Sequence, residues 1–157
     1  GTTRGCLRML DGLVSAGERV LDVGAGSGIL SIAAVRLGAV SVEAIEGDRY
    51  ACDAMRDNFR ANRIASFAKV TEVWATAESL ADLGPVDGIV ANIEAGLLEP
   101  LHEGFRGALI PGGWLILSGI LDYEWAESLR RAESYGFTFI ALDQDEEWRS
   151  GLFRSMT

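Results

Sequence analysis

The sequence predicts an α/β domain built on a doubly wound, mostly parallel sheet of seven strands with one antiparallel edge strand. Three observations predict it. Short apolar, β-branched runs alternate with stretches of helical period through most of the chain. The first run ends in a turn with glycine at alternate positions, Gly24, Gly26 and Gly28. The last two runs, 137–142 and 148–153, have no helix between them, only the acidic stretch Asp143-Gln144-Asp145-Glu146-Glu147, and read as a hairpin. At 157 residues, 48% of them apolar, the chain has the size and core-forming composition of one ordinary domain.

The elements follow in order. Cys6, Leu10 and Leu13, with Leu7 and Val14 beside them, have helical spacing over 3–14, and Thr2-Thr3 just ahead are natural N-cap residues. Val20, Leu21 and Val23 form a short buried strand around Asp22. The glycines then make a turn without Cβ atoms, so backbone can approach a ligand closely. Ser27 and the run 29–34 open a helix that reaches about Leu37, with Gly38 as its C-cap. Residues 40–46 read as the second strand, ending in Glu46, and Asp48 caps the helix that carries Met55 and Phe59.

Residues 67–74 read as the third strand, and Gly84-Pro85 breaks the chain before a fourth at 87–93. Leu97, Leu98, Leu101, Phe105, Ala108 and Leu109 form one amphipathic helix, with His102 an ordinary residue within it. Pro111-Gly112-Gly113 is a turn before the fifth strand, 114–118. Trp125, Leu129 and Ala132 mark a last helix, stopped by Gly136. No internal repeat or low-complexity segment is present.

Right-handed crossovers place the glycine turn, Glu46, the loop after Trp74 and Asn92 along one edge of such a sheet, where ligands bind. Glu46 lies 22 residues after Gly24, the spacing at which an acid grips a ribose hydroxyl pair. A carboxylate accepts both hydroxyl protons, which no neutral side chain does as well. Asn92 is a polar amide on the carboxyl edge, read as a ligand contact, with an Asx-type turn or N-cap as the alternative. Trp74 either walls a bound base or belongs to the core.

The glycine spacing narrows the ligand. A dinucleotide fingerprint is Gly-x-Gly-x-x-Gly, whose helix N-terminus faces a pyrophosphate. Here the third glycine comes one residue early, and Asp22 stands two residues before the first. That arrangement resembles the first motif of the class I S-adenosylmethionine (SAM) methyltransferases. SAM has no phosphate; its amino-acid end carries an ammonium and a carboxylate and its sulfur is cationic, a ligand that an acid such as Asp22 suits. In many such enzymes an acid after the third strand meets the adenine amino group; Glu78 is the candidate, or it opens a short helix.

Composition bounds the rest. Net charge is −9, which disfavours direct nucleic-acid contact and favours basic partners. No apolar run is long enough for a membrane span and no charged-then-apolar leader opens the chain, so a cytoplasmic protein is expected. Cys6 and Cys52 read as reduced core thiols, and a single histidine with no zinc-spaced cysteines predicts no metal site.

Taken together, the chain resembles one family within that class, PrmA, the methyltransferases of large-subunit ribosomal protein eleven. The likeness spans essentially every segment. It is carried by Thr2-Thr3-Arg4, the glycine motif through Ile32, Ala91-Asn92-Ile93, Pro111-Gly112-Gly113, Leu117-Ser118-Gly119-Ile120-Leu121 and Glu146-Glu147-Trp148. The resemblance implies a Rossmann-like class I methyltransferase fold, SAM as cofactor and a basic ribosomal protein as substrate, methylated on lysine or N-terminal amines. It also implies that Thr3, Gly24, Glu46 and Asn92 occupy SAM-contacting positions, with Asn92 free to orient the amine. Three departures stand out. The family usually has Asp where this chain has Glu46, its Gly-Asp pair after the third strand is absent around Thr76, and its N-terminal recognition domain has no counterpart before Gly1. The expectation is therefore one catalytic domain over 1–157, a processed or partial chain. The alternatives are a class I methyltransferase acting on a small molecule or RNA, a non-catalytic SAM-binding module, and a nicotinamide-dependent dehydrogenase, which the glycine spacing disfavours.

Overall fold

The structure, a computed structural model, describes residues 1–156. Its elements are α1 (Thr2–Asp11), β1 (Arg19–Val23), α2 (Ile29–Arg36), β2 (Ser41–Glu46), α3 (Arg49–Ala61), β3 (Ala68–Glu72), α4 (Ala77–Asp82) and β4 (Val86–Asn92). Then come α5 (Ala95–Leu98), a 3₁₀ turn (Glu99–Leu101), α6 (His102–Ala108), β5 (Leu109–Leu121), a second 3₁₀ turn (Asp122–Glu124), α7 (Trp125–Ser134), β6 (Phe137–Asp145) and β7 (Trp148–Ser155). The seven strands form one sheet in the order β3-β2-β1-β4-β5-β7-β6. β1 to β5 run parallel, and β7 is antiparallel to both of its neighbours. The antiparallel strand is thus β7, one place in from the edge that β6 forms.

Side-chain alternation builds two cores, one on each face of the sheet. Along β4 and β5, Val90, Trp114 and Ile116 point to the side of α1 and α2, where they meet Cys6, Leu10 and Leu30. Ile89, Ala91, Leu115 and Leu117 point the other way, toward Leu80, Leu101 and Phe105 of α4, the 3₁₀ turn and α6. Central parallel strands buried on both faces read as unbroken apolar runs, as these do. Among the described residues no helix is long and apolar enough to cross a membrane.

Four segments differ from the sequence expectation. The single helix over 97–109 is instead α5, a 3₁₀ turn and α6, because Pro100 has no N–H to return to the preceding turn. Pro111-Gly112-Gly113 lies inside β5 as an irregularity: Val86 pairs with Leu109 but Gly88 with Trp114, so β5 bulges there. In the hairpin, Asp143, Gln144 and Asp145 belong to β6 and only Glu146-Glu147 turn, Glu146 with φ +55°. Asp143 is drawn into the strand by the Arg8 guanidinium of α1, at 2.7 and 2.8 Å. Finally, Thr2 and Thr3 lie within the first turn of α1 rather than capping it from outside.

Candidate active site

β1 ends at Val23 and the chain turns away through Gly24, Gly26 and Gly28, whose φ values of +72°, +57° and +83° are the left-handed region that favours glycine. The three glycines do different things. A Cβ on Gly24 would lie 2.2 Å from Ile93 Cγ2, and one on Gly28 would meet Phe59 and Met55 of α3 at 2.6 and 2.7 Å, whereas one on Gly26 would meet nothing within 4 Å. The first and third glycines let the turn sit down onto its neighbours; the middle one leaves its outer face open.

The turn is fastened to the end of β2 by three consecutive N–H groups. Gly24 and Ala25 donate to the Ile45 carbonyl at 2.9 and 3.1 Å. Gly26 donates to Glu46 Oε1 at 2.9 Å. The other oxygen, Glu46 Oε2, accepts from the Asp48 N–H at 3.0 Å. From the opposite side Asn58 of α3 donates to the Ser27 carbonyl at 2.9 Å. Glu46 therefore bridges the loops after β1 and β2, and each of its oxygens keeps lone-pair capacity for a further donor.

A cavity of about 310 Å³ opens beside this bridge. That is at the small end of ligand clefts, which run roughly 300–1,000 Å³. Val23, Gly24, Glu46 and Gly47 form one wall; Val73, Trp74 and Ala75 follow β3; Ile93, Leu97, Pro100 and Leu101 follow β4. The carboxyl ends of four adjacent strands thus converge on one crevice, as a parallel sheet requires. Trp74 is 74% exposed, so it is a cavity wall and not core. Its ring lies over Gly47, where a Cβ would come within 2.0 Å of it.

The structure brings Gly24 and Glu46 to the cavity and joins Gly26 to it through Glu46. It places the other predicted residues elsewhere. Asp22 was expected to face the ligand, but it is 1% exposed and its Oδ2 accepts from the Ser31 hydroxyl of α2 at 2.7 Å. It shares the strand face of Val20, which packs on α1 and α2, and not that of Val23, which lines the cavity. Burial is the main reason its carboxyl is pushed up to about 6, with the charge of Glu46 adding to it and the Ser31 hydrogen bond opposing.

Gly28 packs beneath α3. Glu78, the expected adenine contact, is exposed in the first turn of α4, outside the cavity lining. There Thr76 and Ser79 close a capping box, which fixes α4 where the alternative reading put a helix start. Thr3 lies in α1, whose first residue reaches the end of β5 through a 3.5 Å contact from Ser118 Oγ to the Thr2 carbonyl. Asn92 ends β4 opposite Ser118, one residue before the cavity-lining Ile93. Among the described residues no hydrogen bond holds its side-chain amide. His102 is buried; its Nδ1 lies 2.9 Å from the Leu98 carbonyl, its ring stacks on Tyr135 and burial keeps the imidazole below its usual range.

Gly47, Leu97, Pro100 and Leu101 were not singled out as site residues from sequence. Signals existed for two of them: Gly47 directly follows the ribose-spaced acid, and Pro100 interrupts an otherwise helical apolar run.

Residues 1–155 match the family model described as ribosomal protein L11 methyltransferase (PrmA). The chain is 42% identical over 148 residues to the ribosomal protein L11 methyltransferase of Thiobacillus denitrificans, covering 94% of this chain and 47% of that protein. The Laribacter hongkongensis protein of the same description is 41% identical over 147 residues, again 94% of this chain and 47% of its own length. The chain spans about half the length of the curated relatives it matches. A crystal structure of ribosomal protein L11 methylase from Lactobacillus delbrueckii subsp. bulgaricus superposes with a TM-score of 0.90 at 28% identity, covering 99% of this chain and 79% of that one. Precorrin-6y C5,15-methyltransferase from Geobacter metallireducens shares the fold, with a TM-score of 0.80 at 20% identity over 97% of this chain and 86% of that one.

Proposed function

Because the chain belongs to the ribosomal protein L11 methyltransferase (PrmA) family, we propose that it forms a SAM-dependent catalytic unit that methylates amino groups of a basic ribosomal protein. The observation that carries this reading is the Glu46 bridge. A carboxylate held rigidly at the end of β2, beside a glycine turn and an apolar cavity, is arranged to accept both hydroxyls of a ribose. The residues fit the cofactor in two further respects. Trp74 offers an exposed ring to a purine, and the open outer face of Gly26 leaves room for close approach of a ligand to backbone.

When bound, SAM supplies a methyl already activated on a sulfonium. What remains for the chain is placement, with nucleophile and methyl carbon about 3 Å apart and aligned. Asn92 has a free amide carbonyl at the carboxyl edge, next to Ile93 in the cavity wall, and accepts hydrogens from the incoming amine to orient its lone pair. The amine must arrive unprotonated, with its proton given up to water, since a lysine amine is mostly charged at neutral pH. The charge around the site supports a basic acceptor. Residues 70–105, which supply two of the three cavity walls, contain no lysine or arginine, and Glu78, Glu94 and Glu99 are exposed in that stretch.

Calorimetric titration with SAM tests the reading: binding is expected in the wild type, and Glu46→Ala is expected to weaken it by about 1–3 kcal/mol, the scale of hydrogen bonds to a charged group. An unchanged affinity would remove Glu46 from the ribose. Trp74 gives an independent readout, because the ring is exposed and a stacked purine alters its fluorescence. Trp74→Ala is expected to lose about 1–3 kcal/mol of SAM affinity, as base–aromatic stacks do. Emission that is indifferent to saturating SAM would place the purine elsewhere.

A further inference from the structure

We propose that His102 is a positioning residue for the cavity: as a neutral imidazole it clasps the cavity-lining segment 95–101, and taking up a proton releases that segment. The inference rests on the SAM reading above and deepens it, adding a residue that acts on the ligand only through the cavity wall.

The segment is α5 and the 3₁₀ turn, and it supplies Leu97, Pro100 and Leu101 to the cavity. Little fastens it. No side chain caps either piece, and Pro100 brings no N–H. Among the described residues, the one side chain bonded to its backbone is that of His102. Its Nδ1 lies 2.9 Å from the Leu98 carbonyl and 3.2 Å from that of Glu99. Both partners can only accept, so the neutral ring keeps its proton on Nδ1 and leaves a lone pair on Nε2.

Nε2 is buried and has no hydrogen-bond partner among the described residues. The ring stacks on Tyr135 with centroids 5.5 Å apart and meets Phe105 edge-on at 5.8 Å. A second proton would enter this slot with no acceptor to receive it, and burial without a partner disfavours the charged ring. The charges nearby do not relieve it. Arg131 of α7 opposes the proton; Glu99 favours it, but that carboxylate is already paired with Arg131 at 3.1 Å. Glu103 and Arg106 of α6 are exposed, as are Glu78 and Asp82 of the adjoining α4. Proton uptake is therefore met by opening. The start of α6 parts from Tyr135 to let water reach Nε2, and the 3₁₀ turn in the cavity wall goes with it. A ligand that fills the cavity holds the wall closed and the ring neutral.

His102 is the only histidine of the chain, so its ring signals in a nitrogen–proton NMR spectrum identify themselves. The Nδ1–H tautomer is expected, titrating below the ordinary midpoint of 6.5. Saturating SAM should lower the midpoint further by about one pH unit, the usual reach of a histidine's surroundings. By linkage, SAM binding must then weaken as pH falls through that window. His102→Asn puts an amide nitrogen where Nδ1 stands, keeping the clasp without the titration. Its SAM affinity should match wild type at pH 7.5 and exceed it severalfold at pH 5. Other titrating groups, Asp22 and Glu46 among them, cancel in that ratio. His102→Leu loses the clasp and should bind SAM more weakly than either at pH 7.5. Amide exchange at 97–103, corrected for its intrinsic pH dependence, reads the clasp without ligand. It should be faster in wild type than in His102→Asn at pH 5, and equal at pH 7.5.

A midpoint that SAM leaves in place would overturn the proposal. So would one pH dependence shared by wild type and His102→Asn, or a His102→Leu variant that binds SAM as wild type does at pH 7.5. If His102→Leu does not fold, the asparagine variant and the titration of wild type decide. Should SAM fail to bind at all, the proposed function falls, and exchange at 97–103 alone upholds or overturns this inference.

Discussion

Gly24→Ala is expected to cost about 2–5 kcal/mol of folding stability and to close the cavity at its glycine end. Two penalties combine. A side chain at φ +72° sits in the left-handed region, which costs roughly 1–2 kcal/mol for an L-residue. The new methyl would also lie 2.2 Å from Ile93 Cγ2, and overpacking of that kind typically costs about 1–3 kcal/mol. Ile93 lines the cavity, so its displacement alters the wall that faces the ligand. Gly26→Ala is the internal control. Its φ of +57° carries the same strain, but a Cβ there meets nothing within 4 Å, so the loss should stay near 1–2 kcal/mol. Urea unfolding of the two variants side by side measures the difference. Equal midpoints would mean that Ile93 yields freely and that the glycine is kept for its backbone angle alone.

That contrast shows which parts of the site were legible in sequence. Alternate glycines after an apolar strand predict a tight turn, and the structure has one, because no other residue type tolerates those backbone angles so cheaply. Glu46 was legible for a related reason. Its distance from the turn is set by one helix and two loops of ordinary length, so spacing alone brings it to the same edge. The alternation of strands and helices was equally legible, because buried strands and helix faces impose different periods on apolar residues.

What escaped was set by neighbours distant in sequence. Asp22 stands two residues from Gly24, yet strand alternation turns it to the opposite face, onto Ser31. That face was readable in principle from Val20, which shares its parity. The extension of β5 through Pro111-Gly112-Gly113 was not readable, since it depends on β4 continuing to pair beyond the bulge. Trp74 had two readings because a tryptophan suits either core or a ligand platform. The structure puts it in the cavity wall, exposed and with its ring laid over Gly47, a position fixed by a contact between two loops.

Asp22 also carries the second large effect, a pH-dependent one. Its carboxyl is pushed from 3.8 up to about 6, by burial first. The sign follows from proton uptake. Between those values the folded protein holds a proton on Asp22 that the unfolded chain has released, so stability falls as pH rises through the window. Below pH 3.8 both states are protonated and nothing is lost; above about 6 the full penalty is present. At about 1.4 kcal/mol per pH unit it amounts to about 3 kcal/mol. Asp22→Asn removes that titration while keeping an acceptor for Ser31. The stability of the variant minus that of wild type should therefore grow by about 3 kcal/mol between pH 4 and pH 7, other carboxylates cancelling in the difference. Denaturant titrations at half-unit steps of pH would record it, and a flat difference would mean that water reaches Asp22.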